Sequence, residues 1–286
     1  MFDLDGYLSR IGLGGRPSLA DVHIAHATTI PFEGFDSYMG IAPRLGAEEL
    51  VEKLVHRRRG GYCYEQNLLL KAALEALGYQ VDPYLARVMI GLAPGAIRPP
   101  THLLLRIRGG PEAGGSEAGG GESGTDGVAE ERGWHADVGF GSGTLLEPLP
   151  WGPGEEKHEQ SGWRFRVVER SPQWVLQTVN DGEWTDIYGF LPVPVPHVDI
   201  EMSNWWTATH PESSFVTGFL ATRHWRDGRR LILSDWGELT MIERTAAETV
   251  STPVNREQVP RLLAERLELP GFELDAAGRV TRPRLG

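Results

Sequence analysis

The sequence has a single cysteine, Cys63, among its 286 residues. An intrachain disulfide is therefore impossible, which fits a protein kept in a reducing compartment. No apolar run approaches the roughly 20 residues that a membrane-spanning helix needs. The N-terminus shows no basic segment followed by an apolar one, so we expect a cytoplasmic protein without a signal peptide. The net charge is −11 with no basic stripe, which argues against a nucleic-acid or membrane-surface partner.

Metal and phosphate-loop motifs are also missing. The glycine-rich stretch 109–133 is not followed by the Lys-Ser/Thr pair of a phosphate-binding loop, and its acids would repel phosphate. His23 and His26 have a helical spacing that could suit a metal pair, but no further ligand lies nearby in the sequence. We therefore expect no metal, and surface or hydrogen-bonded positions for these two histidines.

What the sequence does have is a cysteine at the start of a predicted helix. The segment Arg59-Gly60-Gly61-Tyr62-Cys63-Tyr64-Glu65-Gln66-Asn67 precedes an apolar run from Leu68 to Leu77. A helix N-terminus carries partial positive charge and unpaired N–H groups, and both stabilise a thiolate. The pattern makes Cys63 a candidate nucleophile. The alternative interpretation is a small, buried apolar side chain.

The hydrophobic pattern divides the chain into three units. Residues 1–82 favour helices, residues 83–191 favour short strands, and residues 192–286 favour both. Helices are predicted near 19–28, 47–59, 63–77, 197–209 and 255–267, and strands near 79–90, 101–107, 134–140, 163–169, 174–179, 184–188, 215–223, 231–234 and 239–244. The stretch 109–133, with ten glycines and six acids, cannot bury enough surface to fold and is predicted to be a flexible hairpin insertion.

A thiol nucleophile needs a base and a group that orients the base. His102 starts a predicted strand and Asp137 lies on the strand after the insertion. Pairing of these two strands would bring both side chains together beside the Cys63 helix. His135 is a rival base, because it lies two residues before Asp137 and on the same strand face. A polar edge position for His102 and a turn cap for Asp137 are the alternative interpretations.

The segment around Cys63 resembles the signature of the arylamine N-acetyltransferases. Three further segments are similar to that family in the same order: Thr29-Ile30-Pro31-Phe32-Glu33, Pro100-Thr101-His102-Leu103-Leu104-Leu105 and Asp137-Val138-Gly139-Phe140-Gly141. A fourth, weaker similarity covers Thr207-Ala208-Thr209-His210-Pro211 with Ser214-Phe215-Val216-Thr217-Gly218. The resemblance spans most of the chain, from about Leu4 to the last helix. It favours Cys63 as the nucleophile and His102 over His135 as its base.

The resemblance implies an α+β fold with an N-terminal helical bundle, a central antiparallel β-barrel-like domain and a C-terminal α/β lid, holding a Cys-His-Asp triad like that of cysteine proteases. It also implies ping-pong transfer from acetyl-CoA, the co-substrate, to an arylamine, arylhydroxylamine or hydrazine through acetyl-Cys63. The residues implied for the acceptor pocket are Phe32, Phe140 and Phe215, and those near the acyl donor are Thr101, Gly139 and Gly141. Arg59 and Glu65 are expected to form a buried ion pair that supports the Cys63 turn.

Two features depart from the family pattern. Asp137 follows His102 by 35 residues, a longer gap than usual in the family, because of the glycine-rich insertion. We expect the insertion to loop out without disturbing the triad, although it could shade the side where the donor enters. His135 occupies a position that is usually apolar, where it would either compete for Asp137 or face solvent.

Other functions stay open at this point. An amide synthase that closes ansamycin-type macrolactams resembles the same family but takes its acyl group from a carrier protein. A hydrolase would use the same triad with water as the acceptor. A binding protein that kept only the fold has no physical reason to retain Cys63, His102 and Asp137 together. The sequence leaves the identity of the acceptor and the oligomeric state undetermined.

Overall fold

The computed structural model describes residues 2–93, 96–110, 133–154 and 156–282, and it shows a mixed fold of helices and strands. The helices of this described part are α1 (Leu4–Arg10), α2 (Leu19–Thr29), α3 (Phe35–Tyr38), α4 (Ala47–Leu50), α5 (Cys63–Ala76), α6 (His197–Thr209), α7 (Ser214–Thr217) and α8 (Val259–Arg266). A π-helical turn, Val51–His56, continues α4, and a 3₁₀ turn, Arg256–Gln258, precedes α8. No helix among the described residues has the length and apolarity needed to cross a membrane.

The strands of the described residues are β1 (Phe32–Glu33), β2 (Gln80–Val88), β3 (His102–Arg108), β4 (Trp134–Ala136), β5 (Leu149–Pro150), β6 (His158–Gln160), β7 (Trp163–Arg170), β8 (Gln173–Asn180), β9 (Glu183–Phe190), β10 (Leu220–His224), β11 (Arg230–Ser234), β12 (Thr240–Arg244), β13 (Thr249–Pro253), β14 (Glu273–Leu274) and β15 (Val280–Thr281). The largest sheet has the strand order β5-β4-β3-β2-β9-β8-β7-β6, and a second sheet has the order β1-β10-β11-β12-β13. Strands β14 and β15 form a separate antiparallel pair.

The eight-stranded sheet is barrel-like, as the family resemblance implied. All of its strand pairs are antiparallel. Its two edges approach each other at Gln160 of β6, whose side chain accepts from the Leu146 N–H at 3.1 Å and donates to the Glu147 carbonyl at 2.7 Å, just before β5. The sheet is therefore nearly closed, and an apolar core fills its interior.

The second sheet joins the N-terminal and C-terminal parts of the chain. Strand β1, which follows α2 directly, pairs with β10 through Phe32 and Thr222. Phe32 also forms an isolated bridge to Gly61, and the Glu33 N–H donates to the Gly61 carbonyl at 3.1 Å. The break at Pro31 thus brings Phe32 to the turn that precedes Cys63. The division into units 1–82, 83–191 and 192–286 stays a prediction.

Strand β4 is shorter than predicted, because it ends at Ala136 and not at Phe140. The next three backbone N–H groups bond to side chains and not to a neighbouring strand. Asp137 N–H donates to His23 Nε2 at 3.2 Å, Val138 N–H to Asn67 Oδ1 at 3.1 Å, and Gly139 N–H to the Asp137 side chain at 3.0 Å. These bonds turn the chain out of the sheet at the residue proposed to orient the base.

Two other elements also differ from the prediction. The helix predicted over 47–59 ends at His56, and Arg58 then adopts a left-handed φ of +51° that reverses the chain. The strand predicted over 215–223 begins instead with helix α7, because the Ser213 hydroxyl accepts from the Phe215 N–H at 3.3 Å. Strand β10 starts only at Leu220.

The largest apolar core lies between α2, α5 and β3, and Cys63 is one of its members. Strands β3 and β4 pair antiparallel, with Leu105 opposite Ala136. They therefore pair on either side of the predicted insertion 109–133, whose residues 111–132 lie outside the described residues. This pairing fixes where the two strands meet helix α5.

Candidate active site

Helix α5 has Cys63 as its first residue, as predicted. The Tyr62 N–H donates to Glu65 Oε2 at 3.2 Å, which fixes the start of the helix. Cys63 is 4% exposed, and its thiol donates to the Thr101 carbonyl at 3.6 Å. Cys63 therefore lies at a helix N-terminus, beside one of the residues predicted to be near the acyl donor.

Helix α6 holds the residues on either side of Cys63. The Tyr62 hydroxyl donates to Asn204, and the Tyr64 hydroxyl bonds Ser203 Oγ at 2.6 Å. The two tyrosine rings also pack edge to face, 5.3 Å apart between centroids. Contacts from the C-terminal part of the chain therefore restrain the backbone of the cysteine turn.

The turn after Asp137 comes close to the backbone of Cys63. A Cβ atom at Gly139 would lie 2.8 Å from the Cys63 Cα and 2.7 Å from Asn67 Nδ2, so only glycine fits there. Gly141 has a φ of +73°, a conformation that glycine adopts without strain. A Cβ at Gly141 would lie 3.5 Å from the Phe32 ring. The structure thus places Gly139 against Cys63 and Gly141 against Phe32. Donor binding by either glycine stays a prediction.

His102 and Asp137 share a short hydrogen bond. His102 Nε2 lies 2.7 Å from Asp137 Oδ2, and both side chains are almost fully buried. The two side chains meet diagonally across β3 and β4, because the register pairs Leu105 with Ala136. The contact fixes the orientation of the ring and turns Nδ1 away from the carboxylate.

Asp137 accepts hydrogen bonds on both carboxylate oxygens. Oδ1 accepts from Asn67 Nδ2 and from the Gly139 N–H, both at 3.0 Å, and the Tyr188 hydroxyl lies near the carboxylate. Burial alone would raise the pKa of Asp137, but the adjacent His102 and these donors outweigh it and hold the pKa below its ordinary value. The carboxylate is therefore a fixed negative charge behind the imidazole.

Burial raises the pKa of the Cys63 thiol above its ordinary value. A backbone hydrogen bond from Leu103 acts against this increase, and the nearby charge of Asp137 adds to it. A thiolate at Cys63 therefore depends on a positive charge beside it.

The three predicted pocket phenylalanines take two positions. Phe32 and Phe215 pack together with ring centroids 6.1 Å apart, and Phe215 packs edge to face on Tyr62 at 5.6 Å. Phe140 packs edge to face on the His102 ring at 5.0 Å. Phe32 and Phe215 thus lie beside the cysteine turn, and Phe140 lies beside the His102 imidazole.

The sequence did not predict Asn67 and Tyr188 as neighbours of Asp137. Asn67 follows Cys63 by four residues and therefore lies on the same helix face, a spacing that could have indicated it. Tyr188 comes from strand β9, and its ring packs on His102 at 4.8 Å between centroids. No local pattern in the sequence marks it.

The predicted ion pair between Arg59 and Glu65 is wrong. Arg59 contacts Glu33 and Asp36, both at 2.6 Å, whereas Lys53 contacts Glu65 at 2.6 Å and Asp36 at 2.7 Å. The reversal of the chain at Arg58 turns Arg59 toward β1 and α3 and away from the first turn of α5. We call the five residues the ion-pair cluster: Glu33, Asp36, Lys53, Arg59 and Glu65.

The histidines also differ from the prediction in part. His23 and His26 were predicted to be at the surface or hydrogen-bonded, and the second alternative is confirmed, because both are buried and hydrogen-bonded. His135 is buried and its Nε2 lies 2.7 Å from the Tyr188 hydroxyl, so its ring does not face solvent. Within the described residues, no group of three or more His, Cys, Asp and Glu side chains could hold a metal, and a metal-free protein stays a prediction.

A cavity of about 680 Å³ is lined in part by Ser214 and Thr217 of helix α7, the helix that also contains Phe215. Its lining includes Tyr38, Arg256 and Trp236, and the Trp236 indole packs edge to face on Phe215 at 5.2 Å. Trp236 therefore lines the cavity and also contacts Phe215 of the Phe32–Phe215 pair.

Comparison with known proteins agrees with this geometry. The model of an N-acetyltransferase family matches residues 17–112 and 128–274. The arylamine N-acetyltransferase of Mycolicibacterium smegmatis is 38% identical over 271 residues, which cover 89% of this chain and 90% of that protein. The chain belongs to the arylamine N-acetyltransferase family. It is thus an acyltransferase, and the family match omits residues 113–127, within the predicted insertion.

Other members of the arylamine N-acetyltransferase family extend the similarity. The Salmonella typhimurium protein, named an arylamine N-acetyltransferase and N-hydroxyarylamine O-acetyltransferase, is 31% identical over 255 residues, which cover 87% of this chain and 83% of that protein. A solved structure of the Mycobacterium marinum enzyme in complex with CoA superposes with a TM-score of 0.80 at 33% identity, covering 93% of each chain. The fold is thus that of the family, and the family supports acetyl transfer to arylamines.

Proposed function

We propose that this chain transfers an acetyl group from acetyl-CoA to an arylamine, arylhydroxylamine or hydrazine by a ping-pong mechanism. Cys63 is the nucleophile, His102 its base and Asp137 the group that orients the base. The observation that carries the proposal is the buried 2.7 Å contact between His102 and Asp137, beside the helix that begins at the only cysteine. Family membership and the names of the relatives support the acetyl donor and the acceptor class.

The first half-reaction forms an acetyl-enzyme. His102 Nδ1 takes the Cys63 proton, and the sulfur attacks the thioester carbonyl of acetyl-CoA. The bond from the acetyl carbon to the CoA sulfur breaks, a thioester to Cys63 forms, and His102 returns the proton to CoA. Because burial raises the pKa of the Cys63 thiol, the imidazolium is needed to stabilise the thiolate, and the ionised Asp137 stabilises the imidazolium in turn.

The second half-reaction transfers the acetyl group to the acceptor. The acceptor nitrogen, or the oxygen of a hydroxylamine, attacks the acetyl-Cys63 carbonyl and loses its proton to His102. The bond to sulfur breaks and Cys63 recovers its proton. In both halves the Cys63 backbone N–H, at the free end of α5, is our candidate donor to the carbonyl oxygen as that atom gains negative charge.

The aromatic side chains are the proposed acceptor pocket. Phe32 and Phe215 offer an apolar wall beside the cysteine turn, and Phe140 offers one beside His102. Such walls suit a flat aromatic ring. Thr101, Gly139 and Gly141 are proposed to lie along the acyl donor. The single cysteine supports a reducing, cytoplasmic location.

The test is release of CoA from acetyl-CoA, measured with and without a panel of arylamines and hydrazides. Wild type is compared with Cys63→Ala, and mass spectrometry of the protein mixed with acetyl-CoA alone looks for one added acetyl group. We expect a single acetylation that disappears in Cys63→Ala, and CoA release that depends on the amine.

Two results would point to another function. Steady CoA release without any amine would indicate a hydrolase. Absence of both acetylation and release, from a folded protein whose Cys63 still reacts with iodoacetamide, would overturn acetyl-CoA as the donor. It would then favour a carrier-bound acyl chain and the amide synthase alternative.

A further inference from the structure

Helix α2 carries two buried histidines that the proposed mechanism does not use. His23 and His26 are three residues apart, so they lie on the same side of the helix, and neither is exposed to solvent. Both side chains reach the site described above, but at different places. His23 contacts the backbone of Asp137, and His26 contacts Gln66, in the first turn of helix α5.

The partners of His23 determine which ring nitrogen carries its proton. The Asp137 N–H can only donate, and it points at His23 Nε2 from 3.2 Å. The Leu146 carbonyl can only accept, and it lies 3.0 Å from His23 Nδ1. His23 is therefore neutral, with its proton on Nδ1. Burial lowers the pKa of His23 to about 4, which keeps the ring neutral at physiological pH.

The partners of His26 determine the opposite tautomer. The Gln66 amide nitrogen donates to the Pro31 carbonyl at 2.8 Å and to the Gly61 carbonyl at 3.1 Å. The Gln66 oxygen therefore faces His26 Nε2, which must donate to it at 2.7 Å. Nδ1 is then the acceptor for the Tyr7 hydroxyl at 2.9 Å. Burial lowers the pKa of His26 to about 3, so this ring too is neutral.

We propose that His23 and His26 are positioning residues for the proposed Cys63–His102–Asp137 triad, and that they act as neutral rings in opposite tautomers. His23 accepts the Asp137 N–H and so fixes the residue that turns out of strand β4. His26 orients Gln66, which holds the carbonyl of Gly61 two residues before the nucleophile. One helix thus aligns the acid with the cysteine. The inference rests on the proposed triad but not on the identity of the acyl donor.

Loss of either histidine contact should be costly because both contacts are buried. The Asp137 N–H and the Gln66 side chain could not bond to water instead. An Asp137 N–H without an acceptor carries the desolvation cost of a buried donor, so the turn would shift to find one. The same turn places the carboxylate on His102 and Gly139 against Cys63. A small shift of this turn would separate the Asp137 carboxylate from His102, and the proposed mechanism needs these two groups within hydrogen-bond distance. The titratable or charged groups near the two rings are Asp137 and His135 around His23, and Tyr7, His23 and Arg10 around His26.

The test uses the rate of alkylation of Cys63 by iodoacetamide as a function of pH. Cys63 is the only cysteine, so the rate reports the thiolate at that residue alone and needs no acyl donor. Two matched variants separate the contacts: a glutamine side chain reaches the position of Nε2, whereas an asparagine reaches only that of Nδ1. His23→Gln can still accept from the Asp137 N–H, and His23→Asn cannot.

We expect His23→Asn to slow alkylation on the order of 10-fold and to move the pH profile toward higher pH, with His23→Gln within about 3-fold of wild type. We likewise expect His26→Asn to slow alkylation more than His26→Gln, because the glutamine can still donate to Gln66 and the asparagine cannot. Thermal unfolding of the asparagine and glutamine variants at each position shows whether a slower alkylation rate results only from lower stability. Equal losses in both members of a pair, or a wild-type profile in His23→Asn, would overturn the inference.

A second measurement needs no variant. Nitrogen NMR of labelled histidine in the wild-type protein distinguishes the two tautomers of each ring. We expect a proton on Nδ1 of His23 and on Nε2 of His26, with neither ring titrating between about pH 5 and pH 8. The same tautomer in both rings, or protonation of either within that range, would contradict the proposal. A protein with the expected tautomers that released no CoA would fail only the proposed function.

Discussion

Two buried polar clusters contact the first turn of helix α5, and they are built differently. The ion-pair cluster has three carboxylates and two cations, and each cation touches two carboxylates. On the other side a single carboxylate, Asp137, is surrounded by a histidine, an amide, a hydroxyl and a backbone N–H. One cluster is held mainly by opposite charges and the other mainly by hydrogen bonds.

The difference corresponds to what each cluster must do. The ion pairs hold backbone segments together, here β1, α3, the π turn, the segment after it and the start of α5. The Asp137 cluster holds one negative charge beside the imidazole of His102, the proposed base. The contrast suggests that mutations on the two sides should damage different properties.

The largest expected effect is on activity, from Asp137→Asn. The asparagine oxygen would take the place of Oδ1, where Asn67 and the Gly139 N–H donate, and its NH₂ would face His102. His102 Nε2 would then have to accept, which puts the ring proton on Nδ1, where the base must be free. We expect CoA release to fall on the order of 10³- to 10⁴-fold, with little change in stability.

The measurement is single-turnover CoA release together with urea unfolding of the same protein. Asn67→Ala is a useful companion, because it removes one donor to Asp137 and leaves the charge and the ring contact intact. Activity near wild type in Asp137→Asn would mean that the carboxylate does not orient the base.

The next largest effect is on stability, from Arg59→Met in the ion-pair cluster. It leaves Glu33 without its cation and Asp36 with one cation in place of two, and both carboxylates are buried. Uncompensated buried charge is destabilising by about 3–5 kcal/mol. Arg57→Met is the matched control, because Arg57 pairs with Glu52 at the surface, where such pairs contribute about 0–1 kcal/mol. Equal unfolding free energies for the two variants would contradict the assigned role of the cluster.

A smaller effect, on the pH dependence of stability, is expected from Glu65. This residue belongs to the ion-pair cluster, which has one more carboxylate than cations. Burial, followed by the influence of nearby Asp36 and Glu33, raises the pKa of Glu65 from 4.5 to about 7, although Lys53 acts against it. The folded protein therefore holds this proton more tightly than the unfolded chain does. The stabilisation is complete below pH 4.5 and is lost as the pH rises to about 7.

Glu65→Gln removes that titration and keeps a side chain of similar shape. The free energy of unfolding of wild type, relative to Glu65→Gln, should decrease by up to about 3 kcal/mol between pH 4.5 and pH 7. Urea unfolding at a series of pH values measures it. Parallel curves for the two proteins would show that Glu65 stays ionised throughout and that the cluster titrates elsewhere.

The sequence predicted the helix start at Cys63 and the series of short strands because both depend on local patterns, whereas the barrel-like sheet was implied by the family resemblance. A glycine turn followed by an apolar run indicates a helix N-terminus, and short alternating segments indicate strands. The pairing of β3 with β4 also followed, because each strand lies beside the insertion in the chain. These features need no knowledge of distant contacts.

The partners of the buried charges could not be predicted in the same way. Arg59 lies six residues before Glu65, but its partners, Glu33 and Asp36, are more than 20 residues away. Which acid it reaches depends on the left-handed turn at Arg58, a conformation that an arginine in a helical pattern does not suggest. The burial of His23 and His26 was not predicted for a similar reason, since their hydrogen-bond partners come from α1, α5 and the segment after β4.

The smallest effect should come from deleting part of the insertion. This change tests whether the two clusters keep their structure and activity without it. Deletion of residues 113–127, the stretch that the family match omits, leaves β3 and β4 paired from Leu105–Ala136 to Ile107–Trp134. Loop length enters stability only logarithmically, so we expect changes below about 1 kcal/mol in stability and about 3-fold in CoA release.

The control is a glycine–serine segment of equal length, which removes the three acids of this stretch, Glu117, Glu122 and Asp126, and keeps the length. Steady-state kinetics with acetyl-CoA can then separate two possibilities. If the deletion lowered the KM for acetyl-CoA at constant kcat and the glycine–serine segment did not, the length of the insertion would shade the donor. If both lowered it, repulsion between its acids and the phosphates would be the cause. Unchanged constants in both variants would mean that residues 113–127 take no part in acetyl-CoA binding or in the reaction.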